Sequence, residues 1–447
     1  MAEKVLVVSA RFWPEDYKIN EICQELTARG IEVDVLCGQP NFPLGQFYKG
    51  YHSFGHKTES FGSVQVYRTA EAKRGLGSNF GKMLNYLVFT VFGRMRAAAL
   101  SKKKYDAVLV YQTSPVMAVK TGSRVAKKNK VPLTTMAIDL WPDCFFREMD
   151  MQSILLRKLF SGISRRNYLK SDSIITLNDR AADYFKRELG FHQSKVSVMQ
   201  LGPSLPQKEV KPNVDVLERF AGSFNVVIYD ETLKKQDYET ILKAAKLIGN
   251  SGRIDLKIIV VTGSSDAAEL KKTVSKNKLN DIVFIEKLKN FSKHYRYEYI
   301  ADAFLSCERT ASGDEYTSPE DVINYMSAAR PVLFAGDGEA KRIIRKAKCG
   351  YTCDPEDPES LYDIITGLCR LGKNELLLMG ENAKKYQNQY FNWDDMIDSL
   401  IRIMFRKPEE ADDEFILMSN TNIIAADEDI NEDSDINDPE NAEITDE

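Results

Sequence analysis

The chain holds only four histidines in 447 residues, and its seven cysteines (Cys23, Cys37, Cys144, Cys307, Cys349, Cys353 and Cys369) show no paired spacing. Such a set offers neither a disulfide framework nor a Cys/His zinc site, which excludes the disulfide-stapled secreted class and predicts no metal. No basic leader precedes the apolar run Val5–Val8 and no stretch of signal-peptide length follows it, so a cytoplasmic chain is expected. Long hydrophobic runs are missing as well. The most apolar stretch, Leu84–Phe92, is interrupted by Asn85 and Thr90 and falls far short of the roughly 20 residues that a membrane-spanning helix needs. The turn after the first apolar run, Ser9–Glu15, has no glycine, so the G-x-G-x-x-G pyrophosphate turn of a dinucleotide-binding enzyme is absent there.

Positive charge vanishes from the last segment. Residues 409–447 hold 0 Lys/Arg against 16 Asp/Glu, residues 201–408 hold 31 against 31, and residues 1–200 hold 30 against 18. The net −4 is therefore the sum of −16, 0 and +12. The acidic end lacks the apolar surface that would offset ordering entropy, which predicts a disordered tail able to mask the basic half. A basic half alone does not make a nucleic-acid binder, and no motif for one is present.

What the chain has is alternation. Val5–Val8, Glu32–Leu36, Val64–Tyr67, Ala107–Tyr111, Leu133–Met136 and Ser173–Leu177 are short apolar or β-branched runs, each read as followed by a helical pattern. After the polar, proline-bearing stretch Pro203–Pro212 the pattern restarts at Asn225–Tyr229, Leu256–Val261, Ile282–Ile285, Ala303–Ser306 and Pro331–Phe334. This is the grammar of two doubly wound parallel sheets, whose ligands lie at the carboxyl ends of the strands.

Three segments carry a family resemblance: Arg11-Phe12-Trp13-Pro14-Glu15-Asp16-Tyr17-Lys18-Ile19-Asn20, then Gly38-Gln39-Pro40-Asn41-Phe42-Pro43 through Gly50-Tyr51, then Asp139-Leu140-Trp141-Pro142-Asp143. Further on stand Ser318-Pro319, Tyr325-Met326, Arg330-Pro331-Val332 and Gly338-Glu339 through Cys349-Gly350-Tyr351. In this order they resemble the WbuB-like branch of the family-four retaining glycosyltransferases. The resemblance implies the GT-B fold, an α/β architecture of two Rossmann-like doubly wound domains facing across a cleft. The corresponding boundaries are residues 1–204 for an acceptor-side domain and 205–385 for a nucleotide-sugar domain. Residues 386–408 form a helix expected to return to the first domain, and residues 409–447 the tail.

The donor half departs from the family's pattern. A glycine-bearing turn is replaced by Tyr229-Asp230-Glu231-Thr232-Leu233-Lys234, which sets carboxylates where relatives bring backbone amides to a diphosphate. A second glycine turn becomes Val261-Thr262-Gly263-Ser264-Ser265, and the lysine after Pro-Ser becomes Asp321, reversing the sign of a phosphate contact. Lys234, Lys235 and Lys287 could supply replacement charge or could be surface lysines. The two glutamates used in the wider superfamily are Tyr316 and Asn324 here, and Asn324 could still bond ribose as a neutral group. Gly338 and Glu339 open a helix, where a carboxylate either favours the helix's positive end or accepts from sugar hydroxyls.

By resemblance the donor contacts are Ser318, Asn324, Tyr325 and Gly338, with Lys235 and Lys287 as candidates for the replacement charge, and the catalytic positions are Asp139 and Glu339. Asp139 follows the strand Leu133–Ile138, where a carboxylate could orient or deprotonate an acceptor hydroxyl or simply cap the following turn. Trp13, Tyr17, Lys18 and Asn20 are the acceptor-side candidates, the aromatics stacking on sugar and Lys18 meeting a lipid diphosphate. The run Phe80–Leu100 mixes apolar residues with Lys82, Arg94 and Arg96, which suits either peripheral membrane contact or a helix packed on its sheet.

The expected activity is metal-independent, cofactor-free, retaining transfer of sugar from a nucleotide sugar to a lipid-linked saccharide acceptor at the inner membrane face, in surface polysaccharide biosynthesis. A second reading is a catalytically silent homologue that stabilises an active glycosyltransferase subunit. A third is a GT-B sugar-nucleotide epimerase.

Overall fold

The computed structural model describes residues 3–406 apart from 43–44, 56, 76–78, 150, 152, 205–212, 231–237, 253–254, 265, 289–296 and 309–318. The acidic tail, most of the interdomain stretch, and Glu231, Lys234, Lys235, Tyr316 and Ser318 lie outside the described residues. The chain divides into two compact units.

The first unit is built on strands β1 (Lys4–Ser9), β2 (Glu32–Cys37), β3 (Thr58–Phe61), β4 (Val64–Arg68), β5 (Ala107–Gln112), β6 (Leu133–Ala137), β7 (Ser173–Thr176) and β8 (Val196–Val198). They lie in the order β3-β4-β2-β1-β5-β6-β7-β8. Helices α1 (Lys18–Ala28), α2 (Asn79–Leu100), α3 (Ala118–Asn129), α4 (Asp143–Glu148), α5 (Ile154–Tyr168) and α6 (Asp179–Asp183) connect them. All six residues of β5 are buried, as a strand covered on both faces requires. Side-chain alternation along β1 sends Leu6 and Val8 to one core with Phe89 of α2 and Val119 of α3. Val5 and Val7 go to the other, with Ile22 and Leu26 of α1.

Two expectations need correction here. Among the described residues no helix follows β2, and the next element is β3, which pairs antiparallel with β4 at the sheet edge. Gly38, Pro40, Gly45, Gly50 and Gly55 deny that stretch a helix. Its backbone is held instead by side chains, Gln39 Nε2 donating to the carbonyls of Gly55 and Thr69. The short strands β3 and β8, and Thr352–Cys353 in the second unit, were also missed, being too brief to show a period.

The second unit has strands β9 (Phe224–Tyr229), β10 (Leu256–Thr262), β11 (Val283–Lys287), β12 (Ala303–Cys307), β13 (Val332–Ala335) and β14 (Thr352–Cys353), in the order β11-β10-β9-β12-β13-β14. Every pairing in this sheet is parallel. Its helices are α7 (Val214–Arg219), α8 (Glu239–Asn250), α9 (Ala267–Lys276), α10 (Glu320–Ser327), α11 (Glu339–Ala347), α12 (Pro358–Arg370) and α13 (Lys373–Tyr390). The last helix, α14 (Trp393–Phe405), belongs to the first unit, burying Met396, Ile397, Leu400 and Met404 in the core of β1 and α1.

Strand order locates the sites. Each sheet reverses its winding direction once, at β1/β5 in the first unit and at β9/β12 in the second. The carboxyl ends of those strands are where doubly wound sheets hold ligands.

Candidate functional site

In the first unit, the turn after β1 is built around a buried ion cluster. Arg11 is 2 % exposed and its Nη1 lies 3.2 Å from Glu71 Oε1 and 3.6 Å from Glu15 Oε1. Asn85 of α2 donates to Glu71 Oε1 at 2.8 Å and to the Ala72 carbonyl at 2.7 Å. Glu15 Oε1 in turn accepts the backbone amides of Asn41 and Phe42, each at 2.7 Å. Glu15 thus fixes the loop after β2 rather than α1, which begins only at Lys18. Burial pushes the Glu71 carboxyl up to about 7, against the pull of Arg11. Gly38 is obligatory beside it: a Cβ there would stand 1.9 Å from Glu71 Oε2.

The four acceptor-side candidates flank this cluster. Asn20 is 8 % exposed and ties the turn together, its Oδ1 accepting from the Trp13 amide at 2.9 Å and its Nδ2 donating to the Glu15 carbonyl at 2.7 Å. Its place is thus in shaping the loop. Trp13 stacks on Phe61 at 5.4 Å, and its carbonyl accepts from the buried Arg68 guanidinium. Tyr17, partly buried, tilts against Phe42 at 5.9 Å. Its hydroxyl is pushed well up by desolvation; Arg11 opposes the shift, and Glu15 and Asp139 reinforce it. Lys18 is 6 % exposed, 3.8 Å from Glu21 and 5.6 Å from the Trp393 ring centroid, so its ammonium is engaged within its own unit.

Asp139 stands just beyond β6. Its Oδ2 accepts the Ser114 amide at 2.8 Å, and its carbonyl accepts from Gln112 Nε2 at 3.1 Å. Ser114 Oγ accepts from Trp141 Nε1 at 2.9 Å, and Tyr168 donates its hydroxyl to Gln112 Oε1 at 2.6 Å. The loops after β5 and β6 are thereby locked to each other, and the partly exposed carboxylate is aimed by backbone. Gln112, Ser114 and Tyr168 escaped the sequence reading. Gln112 and Ser114 left only the trace of polar residues closing an apolar strand, and Tyr168 sits at the end of α5.

The second unit tells a different story. Asp230, just after β9, accepts from Tyr238 Oη at 2.9 Å. Tyr325 is 2 % exposed, stacks on Phe304 at 4.6 Å and accepts the Tyr229 amide at 2.9 Å, so it props the end of β9 from inside the core. Asn324 Oδ1 accepts the Ser204 amide at 2.7 Å. Glu320 and Asp321 occupy the first turn of α10, where carboxylates suit the helix's positive end. The Asp321 carboxyl is held above the usual range by desolvation and by the charges of Glu320 and Asp230. Its residue surface is exposed, so solvent weakens both the desolvation and the repulsion by its neighbours.

Gly338 caps α11 at φ 89°, a left-handed conformation that glycine adopts without strain. Glu339 follows and is engaged by Arg342 at 2.7 and 3.0 Å. Lys287 is exposed at the end of β11, while Lys235 and Ser318 lie outside the described residues. Around the β9/β12 switch point the described side chains are therefore mainly aromatic and acidic.

Two doubly wound α/β units of this kind define the GT-B class of fold. Residues 214–386, most of the second unit, match the family described as glycosyl transferases group 1. No curated protein matches the chain. Among solved structures, sucrose-phosphate synthase from Thermosynechococcus elongatus aligns at TM-score 0.67 and 14% identity, over 90% of this chain and 98% of that one. WaaG, a glycosyltransferase involved in lipopolysaccharide biosynthesis, aligns at 0.60 and 13%, over 90% and 100%. Anabaena HepE in complex with UDP-glucose aligns at 0.58 and 14%, over 89% and 98%.

Proposed function

We propose that the protein transfers a sugar from a nucleotide-sugar donor to a lipid-linked saccharide acceptor, with retention and without a metal, at the inner face of the cell membrane in surface polysaccharide biosynthesis. The observation that carries this reading is the group 1 glycosyltransferase match over residues 214–386. It is supported by the fold shared with HepE, which was crystallised with UDP-glucose. In the first unit Asp139 would orient the acceptor hydroxyl, with Trp13 and Tyr17 offering aromatic faces to the sugar. In the second, Glu339 would accept from donor hydroxyls beside Gly338, and Asn324 would serve the ribose. Ser318, Lys235 and Lys287 would meet the diphosphate. Transfer then depends on positioning and on stabilising the departing diphosphate.

One observation favours the second reading, a silent subunit of an active transferase: Asp230, Glu320 and Asp321 put negative charge at the strand ends where an anionic donor would sit. Thermal unfolding of the full chain with UDP, GDP and their sugar conjugates separates the two. A transferase is stabilised by about 2.7 kcal/mol at a ligand concentration of about 100 Kd. Asp139→Asn would keep that shift and lose transfer. No shift with any nucleotide would reject the transferase in favour of the subunit.

A further inference from the structure

Helix α2 presents a solvent face that its own unit does not explain. Its inner face is conventional, with Tyr86, Phe89, Gly93, Ala97 and Leu100 buried against the sheet and α3. The outer stripe is Phe80, Met83, Leu87, Val91 and Met95, at spacings of three and four, with Leu84 beside it, each between 40% and 77% exposed. An amphipathic surface helix places charged residues on this face. Here the basic residues Lys82, Arg94 and Arg96 only flank it, and α2 contains no Asp or Glu.

Helix α5 repeats the pattern. Ile154, Leu155 and Leu159 are 59% to 81% exposed, interleaved with Arg157 and Lys158, and α5 too has no acidic residue. The two helices share one aromatic support. Tyr86 of α2 lies 6.2 Å from Trp141 and 6.5 Å from Phe145, and Phe160 of α5 stacks on Phe145 at 4.7 Å. Scattered exposed apolar residues are ordinary; two acid-free helices that each expose an apolar, basic-flanked surface beside one aromatic cluster are not.

We infer that the exposed faces of α2 and α5 form a docking surface for an anionic lipid bilayer, α2 lying in the plane of the interface with its apolar stripe among the acyl chains. The occupant is chosen by charge. A protein partner would be expected to answer these bases with its own acids and to find acids on the two helices in return, whereas a bilayer rewards helices that carry bases alone; Asp143, beside α5, is paired with Arg157. No described helix is long and apolar enough to cross a membrane, so the contact would be peripheral. The inference deepens the proposed function by naming how the chain reaches its acceptor, but rests on the exposed faces alone.

The test is flotation of the purified full chain with phosphatidylcholine vesicles and with vesicles that also contain phosphatidylglycerol. The wild type should float with the anionic vesicles, and less so at high salt. Leu87→Asp/Val91→Asp should reduce the floated fraction about tenfold or more, and Arg157→Ser/Lys158→Ser should reduce it less, with unchanged circular dichroism in both. No flotation of the wild type, or equal flotation of the Asp variant, overturns the inference. So does a wild-type dimer that the Asp variant converts to monomer without any vesicle binding, since the face would then be a protein interface. Because no nucleotide enters the assay, a negative result here leaves the donor reading to be judged by its own titration.

Discussion

Glu71 shows what a single residue does to this architecture. It is fully buried beside Arg11 and Asn85, and its bulk is admitted only because position 38 carries no side chain. Its carboxyl rises from 4.5 to about 7, with desolvation as the main cause. Between those values the native state keeps a proton that the unfolded chain has released, so this group's contribution to stability falls as pH rises through the window. The loss amounts to about 3 kcal/mol once the carboxyl is ionised in both states. Glu71→Gln should therefore flatten the dependence of the urea midpoint on pH between about 5 and about 7. A slope identical to that of the wild type would assign the titration to another group. Asn20 makes a complementary point. It reads as a binding residue from its motif, yet both ends of its amide are committed to the Trp13–Glu15 loop.

Elements were legible where burial imposes a period, and illegible where tertiary contacts replace one. The runs around β1, β5 and β10 are apolar on both faces and could be read directly from their β-branched residues. The loop between β2 and β3 could not, since its order comes from Gln39 within it and from Glu15 and Arg68 reaching in from elsewhere. Likewise nothing in the sequence around Gln112 announces that it will meet Asp139 and Tyr168. Helix α14 illustrates the stronger signal. Met396, Ile397, Leu400 and Met404 recur at helical spacing and are all buried in the first unit, while Asp394 and Asp398 reach Arg29 at 2.6 and 3.1 Å on the surface. Burial should outweigh the ion pairs: Leu400→Ala is expected to cost about 2–5 kcal/mol, whereas Arg29→Ala should cost about 1 kcal/mol or less. Chemical denaturation of both variants decides it, and equal losses would mean that the helix is held by its charges.

At the scale of the whole molecule, charge is the property that separates the two functional readings. The first 200 residues carry a surplus of +12, while residues 201–408 are balanced at 31 against 31. Balance by count conceals a local excess, because Asp230, Glu320 and Asp321 all act on the surroundings of Tyr325 or on one another at the end of β9. A nucleoside diphosphate approaching this place meets like charge, and each carboxylate weakens it by an amount that grows as water is excluded. Asp321 is the informative position: it is exposed, so replacing it leaves the core intact, and it stands among the acids at the end of β9. Asp321→Lys should tighten binding of UDP or GDP by about tenfold or more, the equivalent of about 1.4 kcal/mol, in isothermal titration. If the wild type binds nucleotide and this variant gains nothing, the diphosphate sits elsewhere and the acidic strand ends do not govern it. If only the variant binds, the native chain is a transferase scaffold whose donor site has been closed by its own carboxylates, and the subunit reading prevails.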